Sequence, residues 1–325
     1  VEKIKIGFIG AGGIARHHVS RLSKVPEAQI VAMADPSETS LARMREERPQ
    51  TSNCTFYSDY QEMLEQESLD AVQIHTPHTL HFEQAMDCLA RDLPLLIEKP
   101  MVTSTEDAKT LIEAAEGQIV AISYQRHYQP TYRYIHQAIQ EGKLGELQYV
   151  SALQSQGWYR SQRGKWRQDP ALSGGGQLND SGSHLIDILF WTTGLQPEEV
   201  YASIEYYDTQ VDIDSAITIR FRDGAQGTLS IVGNSPFWWE DFSIWGSQAG
   251  ILYRNGTLYY QAVGKEMQEV TDLPDGSDPD RNFVNAILGK EEVGSPPECG
   301  LKVISFTEAC WRSAKEGHAI QIQES

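Results

Sequence analysis

Apolar residues recur at two different periods along the first third of the chain. Ile4, Ile6, Phe8 and Ile9 form a short apolar run, the pattern of a strand covered on both faces of a parallel sheet. A helical stretch follows over about 14–24. The sequence then reads as strand at 29–34 (QIVAMA), helix at 37–48, strand at 70–75, helix at 78–90, strand at 94–97, helix at 104–116 and strand at 118–124 (QIVAISY). Strand and helix alternating at this cadence predict a doubly wound parallel sheet with crossover helices on both faces.

Past Tyr124 the pattern changes. A helix over about 130–141 leads to a strand at 147–156, a loop rich in Gly, Arg and Trp, and a helix over about 180–193. Alternating segments such as SAITIRF, QGTLSIV and FSIWG follow, punctuated by DG and NG turns, and helices at about 279–288 and 298–315 close the chain. The second part therefore reads as an α+β domain on an open, mostly antiparallel sheet. The predicted division is 1–123 for the parallel-sheet domain and 124–325 for the second domain. No internal repeat, low-complexity segment or flexible linker interrupts it.

Composition narrows the partners. The 325 residues carry 27 Lys and Arg against 45 Asp and Glu, a formal net charge of −18. That field disfavours nucleic acid, which is bound by exchanging counterions for Lys and Arg. It leaves room for an anionic ligand held by backbone N–H groups. The four cysteines, Cys54, Cys88, Cys299 and Cys310, show no metal spacing and read as reduced thiols. No basic leader with an apolar core and no membrane-length apolar run is visible, so the expectation is a cytoplasmic protein without membrane contact.

Chemistry concentrates in a few places. Gly10-Ala11-Gly12-Gly13-Ile14-Ala15 fits GxGxxA between the first strand and the first helix, where free N–H groups cradle a pyrophosphate. Asp35 ends the second strand, where an acid accepts from a ribose 2′-OH and repels a 2′-phosphate, which favours NAD, with NADP as the alternative. The competing reading of Asp35 is a cap on the next helix, a role that Ser37 could fill instead. His75, His78 and His81 recur three apart, but Pro77 breaks the segment, so no metal is expected. Thr76, Pro77 and His81 read instead as loop residues facing the cofactor, and His17 and His18 as surface or interdomain residues.

Glu98-Lys99-Pro100 ends the strand at 94–97. A lysine there can hold a substrate hydroxyl and stabilise alkoxide charge, although a plain Glu98 ion pair is the competing reading. The Lys99–Pro100 bond is a candidate cis peptide. Within Gly174-Gly175-Gly176-Gln177-Leu178-Asn179-Asp180-Ser181-Gly182-Ser183-His184, a helix starting near Asp180 puts Asp180, His184 and Asp187 on one face. An imidazole held by a carboxylate is a general base tunable near neutral pH. Phe237, Trp238, Trp239, Trp158 and Tyr159 could stack on sugar faces, but packing in a sheet or subunit interface is the preferred reading.

The ordered set GAGGIA, AD-P-S, TPHTLH, EKP, YQRHY, KWRQDP and GGGQLNDSGSHLID resembles the glucose–fructose oxidoreductase / inositol dehydrogenase / MocA family over nearly the whole chain. The resemblance implies a Rossmann domain, a second domain with an open sheet, a nicotinamide cofactor, and homodimers or homotetramers through that sheet. Carried over residue by residue, it makes Lys99, Asp180 and His184 a catalytic unit that also binds substrate. Gly10, Gly12, Gly13, Ile14, Asp35, Thr76, Pro77, His81, Glu98, Lys99, Trp166 and Arg167 are expected at the cofactor. Arg126 is expected at the substrate, and His127 stands where relatives often carry a second basic residue. The expected activity is NAD-dependent oxidation of a secondary hydroxyl of a sugar, cyclitol or related polyol. The rivals are NAD-dependent glycoside cleavage on the same fold and a non-catalytic NAD-binding regulator.

Overall fold

A computed structural model describes residues 3–323. Residues 1, 2, 324 and 325, at the outer ends of the two predicted domains, lie outside the described residues. The chain forms two compact units.

The first unit contains the chain up to Val102, Glu106–Gln125 and Ser277–Gly300. Its elements are β1 (Ile4–Ile9), α1 (Gly13–Leu22), β2 (Ala28–Ala34), α2 (Glu38–Glu47), β3 (Thr55–Tyr57), α3 (Tyr60–Gln66), β4 (Ala71–Ile74), α4 (His81–Leu89), β5 (Leu95–Ile97), α5 (Thr105–Ala114) and β6 (Val120–Ile122). The strands form one six-stranded sheet in the order β3-β2-β1-β4-β5-β6, with every pairing parallel. This is the doubly wound order, whose direction reverses between β1 and β4 and opens a crevice at the carboxyl ends of the strands. Register makes those ends level: Tyr57, Ala34, Ile9, Ile74, Ile97 and Ile122 are successive neighbours across the sheet. The residues that follow, including Gly10, Asp35, His75 and Glu98, consequently emerge along one edge.

The second unit holds Arg126–Gly276 and the chain from Leu301 onward. It contains α6 (Pro130–Gln140), β7 (Leu147–Ser155), the short α7 (Trp158–Ser161) and α8 (Pro170–Ser173), and α9 (Gly182–Thr193). β8 (Pro197–Glu205), β9 (Asp214–Phe221), β10 (Gln226–Val232), β11 (Trp239–Gly246), β12 (Ala249–Arg254), β13 (Thr257–Ala262) and β14 (Gln268–Glu269) follow. α10 (Pro279–Ile287) belongs to the first unit, and α11 (Pro297–Glu316) and β15 (Ile320–Gln321) end the chain. The nine strands run β14-β13-β12-β11-β7-β10-β9-β8-β15, antiparallel except for β7 beside β10. Strand alternation buries Val150, Ala152, Ile217, Leu229, Ile231 and Phe242 on one face. The opposite face carries the cross-strand row Tyr201, Thr218, Thr228, Ser151 and Ser243, with Tyr201 47% exposed.

Three details differ from the sequence reading. β3 and α3 were not foreseen, because an edge strand of three residues is too short to show a period. The second unit does not run unbroken to the C-terminus. Ser277–Gly300 returns to the first unit, where Phe283 and Val284 of α10 join the core of Phe8, Ala15, Val19 and Met33. Helix α9 starts at Gly182, so Asp180 lies in the turn before it and does not share a helical face with His184 and Asp187. Among the described residues no helix is long and apolar enough to cross a membrane.

Candidate active site

In the first unit the glycine turn has the geometry a dinucleotide requires. Gly10 sits at φ +95°, and a Cβ there would stand 2.9 Å from the His75 carbonyl group. At Gly12, by contrast, a Cβ would meet no atom within 4 Å. Helix α1 therefore opens with no capping side chain and no acidic residue in its first turn. Uncommitted N–H dipoles with bare backbone beside them suit a pyrophosphate, so these residues fit the nicotinamide dinucleotide that the fold implies. The fully buried Ala15 lets α1 pack closely on the sheet.

Asp35 does more than await a ribose. Its Oδ2 accepts from Ala11 N at 2.8 Å and its Oδ1 from Ser37 N at 2.8 Å, so the carboxylate ties the glycine turn to the next loop. A carboxylate has about four acceptor sites, which leaves capacity for sugar hydroxyls. Ser37 is the cap of α2, accepting from Ser40 N.

The histidines divide by burial. His81 is fully buried, with Nδ1 2.8 Å from Pro100 O and Nε2 3.0 Å from Thr76 O. Its two ring nitrogens thus join the loop after β4 to the turn after β5. Thr76 and Pro77 remain half-buried on the loop. His17 is exposed as expected, but His18 is wholly buried, correcting its surface reading. The signal was present: Ala15, His18, Val19 and Leu22 follow i, i+3, i+4, i+7, and all four are buried. His18 lies between Asp280 and Glu98, at 2.8 and 2.9 Å. Glu98 Oε2 accepts from the N–H of the half-buried Lys99, and the Lys99–Pro100 bond is cis.

In the second unit a buried carboxylate forms the other centre. Asp180 Oδ2 accepts from Trp158 Nε1 at 2.7 Å and from Arg167 Nε at 3.0 Å. Arg167 also lies over the Trp166 ring, 4.3 Å from its centroid. Trp158 is therefore buried structure and not a sugar-stacking surface, whereas Phe237, Trp238 and Trp239 are exposed. His184, half-buried in the first turn of α9, follows within one turn of chain.

The loop before Asp180 is clamped by Asp212, which sequence reasoning missed. Asp212 Oδ1 accepts from Gly176 N and Trp311 Nε1, each at 2.9 Å, and Oδ2 accepts from Leu178 N at 2.6 Å. Its carbonyl accepts from Gln177 N at 2.8 Å. Burial pushes the Asp212 carboxyl above its usual range, against these donors.

Arg126 has a partner within the second unit. Buried, it pairs with Glu240 of β11, which also accepts from the Tyr132 hydroxyl. Its charge is neutralised within the protein. Asp187 accepts from His127 at 2.8 Å, and the His127 ring stacks on Trp191. Burial raises the Asp187 carboxyl, with His127 opposing the shift.

Comparison with known proteins agrees with this architecture. Residues 4–126 match the family model described as "Oxidoreductase family, NAD-binding Rossmann fold", and residues 132–252 match the "GFO/IDH/MocA C-terminal domain". The chain belongs to the Gfo/Idh/MocA oxidoreductase family. It is 30% identical over 204 residues to the rhizopine catabolism protein MocA of Rhizobium meliloti, a match spanning 61% of this chain and 59% of that protein. With an inositol 2-dehydrogenase of Arthrobacter sp. it shares 28% over 339 residues, 99% of this chain and 97% of the relative. A levoglucosan dehydrogenase solved with NADH and L-sorbose has the same fold, with a TM-score of 0.90 at 19% identity over the full length of both chains. As in other Gfo/Idh/MocA members, the first unit is an NAD-binding Rossmann domain, and the enzyme is an oxidoreductase.

Proposed function

We propose that this enzyme oxidises a secondary hydroxyl of a sugar, cyclitol or related polyol to a ketone with NAD, or runs the reverse reaction. The observation that carries the reading is Asp180. A carboxylate held under cover by Arg167 and Trp158, in the turn that launches the His184 helix, is built for orientation and not for surface charge. The names of the relatives, inositol 2-dehydrogenase and D-glucoside 3-dehydrogenase among them, support the substrate class.

NAD, when bound at Gly10, Gly12, Gly13 and Ile14 with its ribose at Asp35, supplies the hydride acceptor. His184 takes the hydroxyl proton as the carbonyl forms, and Asp180 orients the reacting group. Lys99 stabilises the developing alkoxide by a charged hydrogen bond. Thr76, Pro77, Glu98, Trp166 and Arg167 complete the cofactor surroundings in this reading. Arg126 supports the substrate side through Glu240 and Tyr132 and not as an open cation. The uncovered sheet face around Tyr201, Thr218 and Thr228 is where copies of the chain would associate as a dimer or tetramer.

The test is a panel of cyclitols and sugars assayed for NADH formation, with products identified. Turnover that falls by at least about 10²-fold in Lys99→Ala and His184→Ala supports the reading. Full turnover in both variants overturns the assignment of these residues. Bond cleavage without net NADH overturns the reaction class.

A further inference from the structure

Beneath the Glu98-Lys99 turn runs a line of buried charged groups that the proposed reaction does not use. His18, in the middle of α1, has Asp280 Oδ1 2.8 Å from Nδ1 and Glu98 Oε1 2.9 Å from Nε2. A ring with an acidic oxygen at each nitrogen donates twice, and an imidazole that donates twice is an imidazolium. Burial opposes this charge, but the hydrogen bonds and fields of Asp280 and Glu98 outweigh it and raise the pKa to about 9.

Each carboxylate has a further partner. Arg21 Nη1 approaches Asp280 Oδ2 at 3.6 Å, and Gln73 donates to Asp280 Oδ1 at 3.0 Å. Glu98 is held far below the usual carboxylate range: burial pushes it up, and the hydrogen bond and charge of His18, with the charge of Lys99, more than reverse that. The neighbouring ring, His75, lies 4.4 Å from His18 between centroids; burial and the His18 charge push its pKa well down. His81, beyond it, is lowered mainly by burial. Charge therefore alternates from Arg21 through Asp280, His18 and Glu98 to Lys99.

We infer that His18 and Asp280 are positioning residues for Lys99: the buried imidazolium keeps Glu98 ionised and in one orientation, and Glu98 sets the backbone and the field of Lys99. The inference rests on the proposed role of Lys99. Stability alone gives no reason for such a chain, since apolar residues of the same volume often replace buried ion pairs without loss. A reactive lysine at its end does. The donor atoms of His18, His75 and Glu98 lie within 4.8 Å of one another, a spacing that could also suit a metal. A metal on His18 would require an unprotonated ring nitrogen, which the two flanking carboxylates oppose.

Two readouts that need no substrate test this. The first is the protonation state of His18, from the nitrogen NMR shifts of its ring. The second is the rate at which an amine-acylating reagent labels Lys99, followed by peptide mass spectrometry. The wild-type ring is expected to be doubly protonated at neutral pH. Asp280→Asn keeps an oxygen toward Nδ1 but removes one anion, so His18 should lose its proton at lower pH. Lys99 labelling and NAD-dependent turnover should then each gain a step at that same pH. Glu98→Gln removes the anion that holds the Lys99 N–H and should change the Lys99 labelling rate severalfold.

A neutral His18 in the wild type overturns the inference. So do labelling and turnover in Asp280→Asn that follow the wild type through the pH at which His18 deprotonates. Should no polyol be turned over while the labelling step is present, the proposed function fails and the His18 linkage to Lys99 stands.

Discussion

Asp212 holds Gly176 from two sides: Oδ1 accepts the Gly176 N–H over 2.9 Å, and the Asp212 carbonyl oxygen lies 1.9 Å from where a Cβ at 176 would stand. The obstructing atom is backbone, so it cannot swing aside. Gly176→Ala must push apart the loop and the segment entering β9. The expected cost is about 3 kcal/mol, the upper end of overpacking. Turnover should fall further than stability alone explains, because this loop delivers Asp180. Thermal unfolding beside kcat checks both.

Gly12→Ala is the contrasting case. Its backbone, φ −70° and ψ −165°, is open to any residue, and nothing stands within 4 Å of the added methyl. Stability should change by less than about 0.5 kcal/mol. Cofactor binding should weaken by about tenfold or more, since the methyl occupies the approach to the N–H groups. Fluorescence titration with NADH reads this, and unchanged affinity would show that the pyrophosphate lies elsewhere.

Arg167→Ala removes a cation at hydrogen-bond distance from the buried Asp180 carboxylate. Water replaces it in part, because the Arg167 side chain is 32% exposed. A loss of about 10²-fold in kcat is expected, with thermal stability nearly kept. Arg167→Lys restores charge without the planar donor set and should recover part of the activity. Trp158→Phe, which deletes the other donor together with part of a buried ring, should lower stability more than Arg167→Ala does.

Stability should fall on both sides of neutrality. His18 has a folded pKa of about 9 against 6.5, so its contribution is complete below about pH 6.5 and disappears as pH rises through about 9. The loss is on the order of 3 kcal/mol. Glu98 is shifted down from 4.5, so its contribution is complete above that value and is lost as pH falls. The two shifts describe one interaction and are not added. Denaturant unfolding across this range is the check, and a flat alkaline limb would contradict a charged His18.

Local signals were the legible ones. Short apolar strands, the GxGxxA turn and the EKP strand end each lie within about ten residues, and the parallel sheet follows from their order. Features that depend on distant partners stayed hidden. Two adjacent histidines look alike as letters, yet the register of α1 sends His17 to solvent and His18 to the core. The partner of Arg126, Glu240, stands 114 residues away, beyond any local pattern. Asp212 attracted no attention, since an aspartate before a strand is ordinary until the glycines it holds are folded against it. The helical period of α10 was readable, but amphipathicity does not say which core a helix joins.

That destination has a consequence for how the protein is made. Phe283 and Val284 complete the first unit's core, and Asp280 reaches His18 across 262 residues of chain. A ribosome will have released the whole six-stranded sheet long before the piece that finishes it emerges. Pairings this far apart in sequence form slowly and leave apolar surface uncovered meanwhile. A fragment cut after Gln125 should therefore be an incomplete nucleotide-binding body, prone to aggregate, that gains order when a peptide spanning 277–300 is supplied.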